Sequence, residues 1–463
     1  MRFMTSAAAT SVRKPRDAGR RRCAALATVL SAVAVVAALN WPQAFAQSGR
    51  ATKPPQTASD IGSADAWLRL ALSRICTPQP MFGLEAQNLL PGAWLLDERV
   101  RRHRGQAARI TLRFALPGGH ELHVQRLQPG GRLRRFTAEF HAAIGNTVRP
   151  VMQARADGAC RSAAGRRIVY EAGGARIMLE HLDGDLKTLR WTETLQAPWP
   201  AGEAAPGVRV ALVDSGLAYD LPLYRNRLAR GDDGQPLGYD FWDLDPWPYD
   251  GDVSRGRFLP IRHGSAVASV LVREAPGAAL IPFRYPRPDM SRMGAVVRRA
   301  AAAGARIIAM PLGSRKARDW DTFVAAARAH PQILIIASAG NDGRDLDRTP
   351  LWPAAAALDN LVVVTSADGF GRLAAGSNWG ATSVDLMLPA ENVPVVDFRG
   401  ARATASGSSY AVPRLAALAV RLLEKTPAMT AQQLKSKLFA RAVPSPYEKD
   451  AVAVGWIPDP LRE

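Results

Sequence analysis

The chain has 463 residues, 47% hydrophobic and 22% charged, which exceeds one ordinary domain and is enough to bury a large core. Its formal charge of +19 raises nucleic acid as a partner, yet 52 of its 60 basic residues are Arg and only 8 are Lys, spread through every segment. No basic helix or aromatic-interleaved strand accompanies them, so the charge reads as a compositional bias and no nucleic-acid partner is expected.

Residues 1–46 have the form of a signal peptide. A basic stretch ends in Arg20-Arg21-Arg22, an apolar core spans residues 23–39, and Ala44-Phe45-Ala46 offers a small-x-small cleavage site. They predict an exported protein, periplasmic or secreted, whose only membrane contact is transient and runs through this segment. After cleavage two cysteines remain, Cys76 and Cys160. In an oxidising compartment these predict one disulfide, and two cysteines so placed make no metal set.

Residues 47–60 are a polar leader. Residues 64–76 form an amphipathic helix with Leu68, Ala71, Leu72 and Ile75 on one face. From residue 108 the period changes to two, with strands at 110–114, 121–125, 133–140, 167–170 and 175–182. Turns such as Pro117-Gly118-Gly119 and Pro129-Gly130-Gly131 separate them. The expectation for residues 47–195 is a mainly antiparallel β domain of five or six strands with one helix. Its histidines, His103, His120, His123, His141 and His181, show no metal-ligand spacing and read as surface or strand-face residues.

Residues 196–206 are a Pro/Ala/Gly linker. In residues 207–463 strands and helices alternate, with strands at 278–285, 306–311, 333–339 and 361–366. Helices are expected at 291–303, 319–330, from about 409, and at 430–440. This is the pattern of an α/β fold, a parallel sheet with helices on both faces. Residues 240–252 carry five Asp. They could hold calcium, but the spacing is not an EF-hand's and the loop reads as a solvated acidic one, so no cofactor or metal is expected.

Four segments carry chemistry. A buried apolar strand ends in Asp214, within Val213-Asp214-Ser215-Gly216-Leu217. His263 opens an apolar helix in His263-Gly264-Ser265-Ala266-Val267-Ala268-Ser269. Another buried strand ends in Ala337-Ser338-Ala339-Gly340-Asn341-Asp342-Gly343. Gly407-Ser408-Ser409-Tyr410-Ala411-Val412-Pro413 opens a further helix. A serine at a helix N-terminus lies where backbone N–H groups favour the negative charge that its attack creates. His330 is the only other histidine of this half, and it ends a helix before Pro331.

In this order and context the four segments resemble those of the subtilisin-like serine proteases, the subtilases. The resemblance covers roughly residues 205–445. It implies a serine endopeptidase acting on protein or peptide substrates, with Asp214, His263 and Ser409 as the catalytic triad and Asn341 as an oxyanion donor. It also implies that Pro311, Leu312 and Gly313 bind an extended substrate by strand addition. Three departures stand out: Ser408 where the family has Thr, Tyr410 where it has Met, and Pro311 where it has Ser. Pro311 offers no N–H and puts specificity there in doubt. The family commonly has a cleavable pro-domain in this place; the N-terminal third does not match the usual one, and it reads either as a pro-domain that acts as folding chaperone and inhibitor or, preferred, as a permanent accessory domain. The rival from another class is an idle envelope-binding protein on a subtilase scaffold, which would normally have lost a triad residue; none is lost.

Overall fold

The computed structural model describes residues 63–171 and 174–462. The expected signal peptide and leader lie outside the described residues. Among the described residues no helix is long and apolar enough to cross a membrane.

The N-terminal part begins with helices α1 (Ala64–Arg74) and α2 (Gly83–Asn88). Eight strands follow: β1 (Trp94–His103), β2 (Gln106–Ala115), β3 (Glu121–Leu127), β4 (Arg135–Ile144), β5 (Thr147–Asp157), β6 (Ser162–Tyr170), β7 (Arg176–Leu182) and β8 (Leu189–Thr194). Each pairs antiparallel with the next, so the sheet order is the sequence order. Alternation puts Ile110, Leu112, Phe114, Leu122, Val124, Phe136 and Ala138 on one face, buried against Trp67, Leu68 and Ala71 of α1. Arg126 lies on the same buried face. Burial holds its guanidinium down to about 10, and it donates to the carbonyls of Ile75 (2.8 Å), Thr77 (2.6 Å) and Gln79, stapling the turn after α1 to β3. Near this turn the Sγ atoms of Cys76 and Cys160 stand 2.08 Å apart, with Cα atoms 5.7 Å apart.

Five or six strands were expected and eight are present among the described residues. The period-two signal fails in β1 because most of that strand is exposed and five of its residues are charged, Asp97, Glu98, Arg99, Arg101 and Arg102. It fails in β8 because only Glu193 is buried, and in β5 because Pro150 interrupts the run.

The second sheet contains β9 (Val208–Asp214), β10 (Tyr239–Asp240), β11 (Ala278–Arg284), β12 (Ile307–Met310), β13 (Leu334–Ser338), β14 (Leu361–Ala367), β15 (Leu386–Pro389) and β18 (Gly455–Trp456). Its order is β10-β11-β9-β12-β13-β14-β15-β18, and every pair is parallel. A separate hairpin joins β16 (Val393–Val396) to β17 (Arg402–Ala405). After the single turn α3 (Pro222–Arg225) come α4 (Gly264–Glu274), α5 (Met293–Ala302), α6 (Asp321–Ala329), α7 (Ser408–Lys425) and α8 (Ala431–Phe439). Helices α4, α7 and α8 cover one face of the sheet, and α5 and α6 the other. Strands β9, β11 and β13 are therefore covered on both faces, and their residues 210–213, 278–283 and 334–337 read as apolar runs. The segments unforeseen in the sequence, β10, β15 to β18 and α3, have two to four residues each, too few for any period.

The first sheet touches the segment between β10 and α4 of the second part. Phe258 of the second part is buried against Ile168 and Leu179 of the first. Arg262 donates to Glu193 of β8 (Nε to Oε1, 3.0 Å), with both side chains almost fully buried. Arg176 pairs with Asp243 at 3.2 Å.

Candidate active site

Asp214 is the last residue of β9, at the carboxyl edge where open parallel sheets place their ligands. The Nδ1 of His263 donates to its Oδ1 (2.8 Å) and lies 2.9 Å from Oδ2. This fixes the proton on Nδ1 and leaves the Nε2 lone pair free to accept. The approach needs two glycines. A Cβ on Gly264 would lie 1.9 Å from the carbonyl oxygen of Gly216, and Gly216, at φ 107°, would press a Cβ onto the Tyr249 carbonyl at 2.5 Å.

Behind this pair sits Asp250, fully buried. Its Oδ2 accepts from the Ser265 N–H (2.9 Å), and its Oδ1 accepts from the Ser215 hydroxyl (2.6 Å) and the His263 N–H (3.3 Å). The Ser215 oxygen in turn accepts from the N–H groups of His263 (3.1 Å) and Gly264 (2.9 Å). Together these satisfy the N–H groups of His263, Gly264 and Ser265 at the start of α4, where the helix dipole welcomes negative charge. Sequence reasoning missed both residues. The available signal was the placement of Ser215 directly after Asp214 and of Asp250 in the loop before His263. Burial opposes the charged imidazolium of His263, but the Asp214 carboxylate and its hydrogen bond, backed by Asp250 and Asp252, outweigh it. The net effect holds the histidine above its ordinary value.

Ser409 is the second residue of α7, buried, following Gly407 at φ 124°. Among the described residues its hydroxyl makes no hydrogen bond, to His263 or to any other group. The Tyr410 ring stands 5.9 Å from the His263 ring, centroid to centroid, and so flanks the imidazole. Asn341 follows β13, and its Oδ1 accepts from the Ser408 N–H (2.9 Å) while the Gly340 N–H donates to Ser408 Oγ (3.1 Å). A backbone N–H can only donate, so the amide is oriented and its Nδ2 is left for another acceptor. A Cβ on Gly407 would crowd this amide, at 3.0 Å from Oδ1. The loop carrying Asn341 is shaped by buried Asn378, whose Oδ1 accepts from the N–H groups of Asp342 and Arg344 (2.9 Å each) and whose Nδ2 donates to the Ala339 carbonyl (2.8 Å).

A cleft of about 500 Å³ opens beside Asp214 and His263, with Tyr285, Pro311, Leu312 and Gly313 also in its wall. Ser409 and Asn341 are not among its lining residues. Beyond β12 the chain turns sharply at Pro311, where the Leu312 N–H donates to the Met310 carbonyl (2.9 Å). That three-residue turn withdraws the Leu312 N–H from pairing with an incoming strand. Gly313 has no room for a side chain, since a Cβ would lie 2.7 Å from the Trp352 carbonyl. His330 lies at the end of α6, outside the cleft.

The acidic loop is not the solvated one expected. Asp240, Asp250 and Asp252 are buried. At its centre the positive charge is the Arg284 guanidinium, 2.7 Å from Asp240 and 2.6 Å from Asp243. Asp252 accepts from the Tyr285 hydroxyl. Asp245, partly buried and close to Asp240 and Asp243, is pushed up to about 6. Arg284 and Tyr285 lie far along the chain, so the local composition of the loop gave no sign of them.

A sequence profile of the subtilase family matches residues 205–456. The chain is 26% identical over 238 residues to a thermophilic serine proteinase of Bacillus sp. (strain AK1), covering 48% of this chain and 54% of the relative. It is 31% identical over 157 residues to the minor extracellular protease Vpr of Bacillus subtilis (strain 168), covering 31% of this chain and 19% of that one. It thus spans at most about half the length of these curated relatives. Among solved structures, a cold-adapted subtilisin-like serine proteinase aligns with a TM-score of 0.45 at 20% identity, over 56% of this chain and 91% of that one. With the profile matching more than half of its length, the chain belongs to the subtilase family.

Proposed function

We propose that the protein is an exported serine endopeptidase that cleaves protein or peptide substrates through an acyl-enzyme. The observation that carries this reading is the His263–Asp214 pair at the cleft, braced from behind by Ser215 and Asp250. Ser409 Oγ attacks the scissile carbonyl carbon while its proton passes to His263 Nε2. Asp214 keeps the imidazole in the accepting tautomer and stabilises its charged form. The oxyanion is held by Asn341 Nδ2 and the Ser409 N–H at the start of α7. As the C–N bond breaks, His263 returns the proton to the leaving amine, and water repeats the cycle on the ester. A fluorophosphonate probe tests this. Covalent labelling at Ser409, lost in Ser409→Ala, supports it, whereas a folded protein that takes no label is an idle envelope-binding scaffold.

On this reading residues 63–195 stay with the enzyme. Among the described residues none before Asp214 lines the cleft, so the N-terminal part leaves it open. The connecting segment lies elsewhere. Its Ala197 carbonyl accepts from the Tyr219 hydroxyl, its Pro200 carbonyl from Arg230 (2.6 Å), and its Ala205 N–H donates to the Leu228 carbonyl (3.0 Å). Mass spectrometry of the exported active protein should give a chain beginning at Gln47. A chain beginning near Val208 would overturn the retained domain, and one beginning at Met1 would overturn cleavage of the signal peptide.

A further inference from the structure

The triplet Glu-x-His occurs twice in the N-terminal part, as Glu121-Leu122-His123 in β3 and Glu139-Phe140-His141 in β4. The strands are antiparallel neighbours, and their register sets Glu121 opposite His141 and His123 opposite Glu139. All four side chains therefore share the outer face of the sheet at the corners of a quadrilateral, each histidine flanked by two carboxylates. No single-strand spacing reveals this; only the register does.

We propose that His123, His141 and Glu139 bind one divalent transition-metal cation of the zinc class, with the Glu121 carboxylate beside His123. One donor atom from each of the three lies within 4.8 Å of the others. Zinc bonds to imidazole nitrogen and carboxylate oxygen are about 2.0–2.2 Å long, so modest side-chain rotations bring the three onto one ion. The two imidazoles are stacked with centroids 3.9 Å apart. Each places its Nε2 near a carboxylate, His123 on Glu121 at 2.7 Å and His141 on Glu139 at 3.4 Å. A dication takes the position now shared by these contacts and neutralises two carboxylates at once.

The surroundings fit a ligand set. The Gln153 amide donates to Glu139 Oε1 (2.7 Å), holding that carboxylate with Oε2 toward His141. Such outer partners orient metal ligands. Strands β3 and β4 are interior to the sheet, and α1 packs behind β4, which gives the donors a rigid base. The side chains are 14% to 31% exposed, restrained yet open to ions in solution. Mixed imidazole and carboxylate donors favour zinc-class ions over calcium or magnesium, which prefer all-oxygen sets.

The test is calorimetric titration of zinc chloride into the untagged full-length chain after treatment with a chelator. One equivalent should bind, and an equal concentration of calcium or magnesium should not displace it. His123→Ala/His141→Ala should abolish this binding, and Glu139→Gln should weaken it at least tenfold. Cobalt substituted for zinc should give visible d–d absorption that disappears in the same variants. Circular dichroism checks folding, and if the double variant does not fold the Glu139→Gln comparison decides. Saturation absent at one equivalent, affinity unchanged in the folded variants, or displacement by calcium overturns the site. The readout is metal binding, so it is independent of whether Ser409 is a nucleophile.

Discussion

The two eight-stranded sheets of this chain are built on opposite rules. In the first, each strand pairs with its neighbour in sequence, one face is buried, and the other displays a polar row. In the second, β9 lies between β11 and β12, both faces are covered, and polar side chains gather at the strand ends. An antiparallel sheet can give a whole face to chemistry, whereas a parallel sheet has only its carboxyl edge. The expected triad accordingly lies at an edge, and the Glu-x-His pair lies in the middle of a face.

The largest effects should fall at that edge. Ser409→Ala and His263→Ala should each remove nearly all turnover, about 10⁶-fold, and the double variant should be hardly worse, because the two act as a unit. Asn341→Ala should cost about 10²–10³ in turnover with little change in substrate affinity, the range known for subtilisin's own oxyanion asparagine. His330→Ala, away from the cleft, should stay within a few-fold of wild type. Single-turnover hydrolysis of an unstructured peptide measures all of these, and a folded Ser409→Ala variant that cleaves normally would end the comparison.

The next effect tests whether the sheets are independent. Glu193→Ala leaves the Arg262 guanidinium buried and unpaired next to His263, which should cost about 3–5 kcal/mol in denaturant unfolding. Glu193→Ala with Arg262→Leu should recover much of that loss. An unchanged midpoint for Glu193→Ala would show that the domains do not stabilise each other. Within the N-terminal part, Cys76→Ser with Cys160→Ser should cost about 2–4 kcal/mol, and thiol labelling of the unreduced, denatured exported protein, which lacks Cys23, should find none free.

The smallest effect is in pH. The carboxylates around His263 raise its value, and catalysis needs the neutral imidazole. Activity should therefore fall, as pH falls, at a midpoint above the ordinary histidine value of about 6.5. In Asp214→Asn the residual activity should have its midpoint moved to lower pH. An identical profile in the two proteins would mean that Asp214 does not set the histidine's charge.

The parallel sheet was legible because strands such as β9 and β13, covered on both faces, carry apolar runs bounded by helices of clear period. The four segments around Asp214, His263, Asn341 and Ser409 were legible because each keeps its residues adjacent in sequence. What stayed hidden depends on partners brought from afar. Asp250 and Ser215 act on backbone N–H groups at the start of α4, and no pattern of residue types announces such bonds. The acidic loop looked solvated because Arg284, its counter-charge, belongs to β11. The pairing of His123 with His141 needed the register between β3 and β4, which their individual patterns leave free.

The consecutive order of β1 to β8 also bears on the timing of folding. Every pairing in that sheet closes a short hairpin, whereas Val208 must find Ala278 and Val210 must find Ile307 before β9 is flanked on both sides. Contacts close in sequence form faster than distant ones. The first sheet should therefore be complete, presenting Glu193, Ile168 and Leu179, while the second is still searching. Arg262 and Phe258 then meet a surface already in place, so the segment that carries His263 condenses onto a template supplied by the part of the chain synthesised first. Pulse-labelled hydrogen exchange during refolding should protect the amides of β2 to β7 ahead of those of β9 and β12.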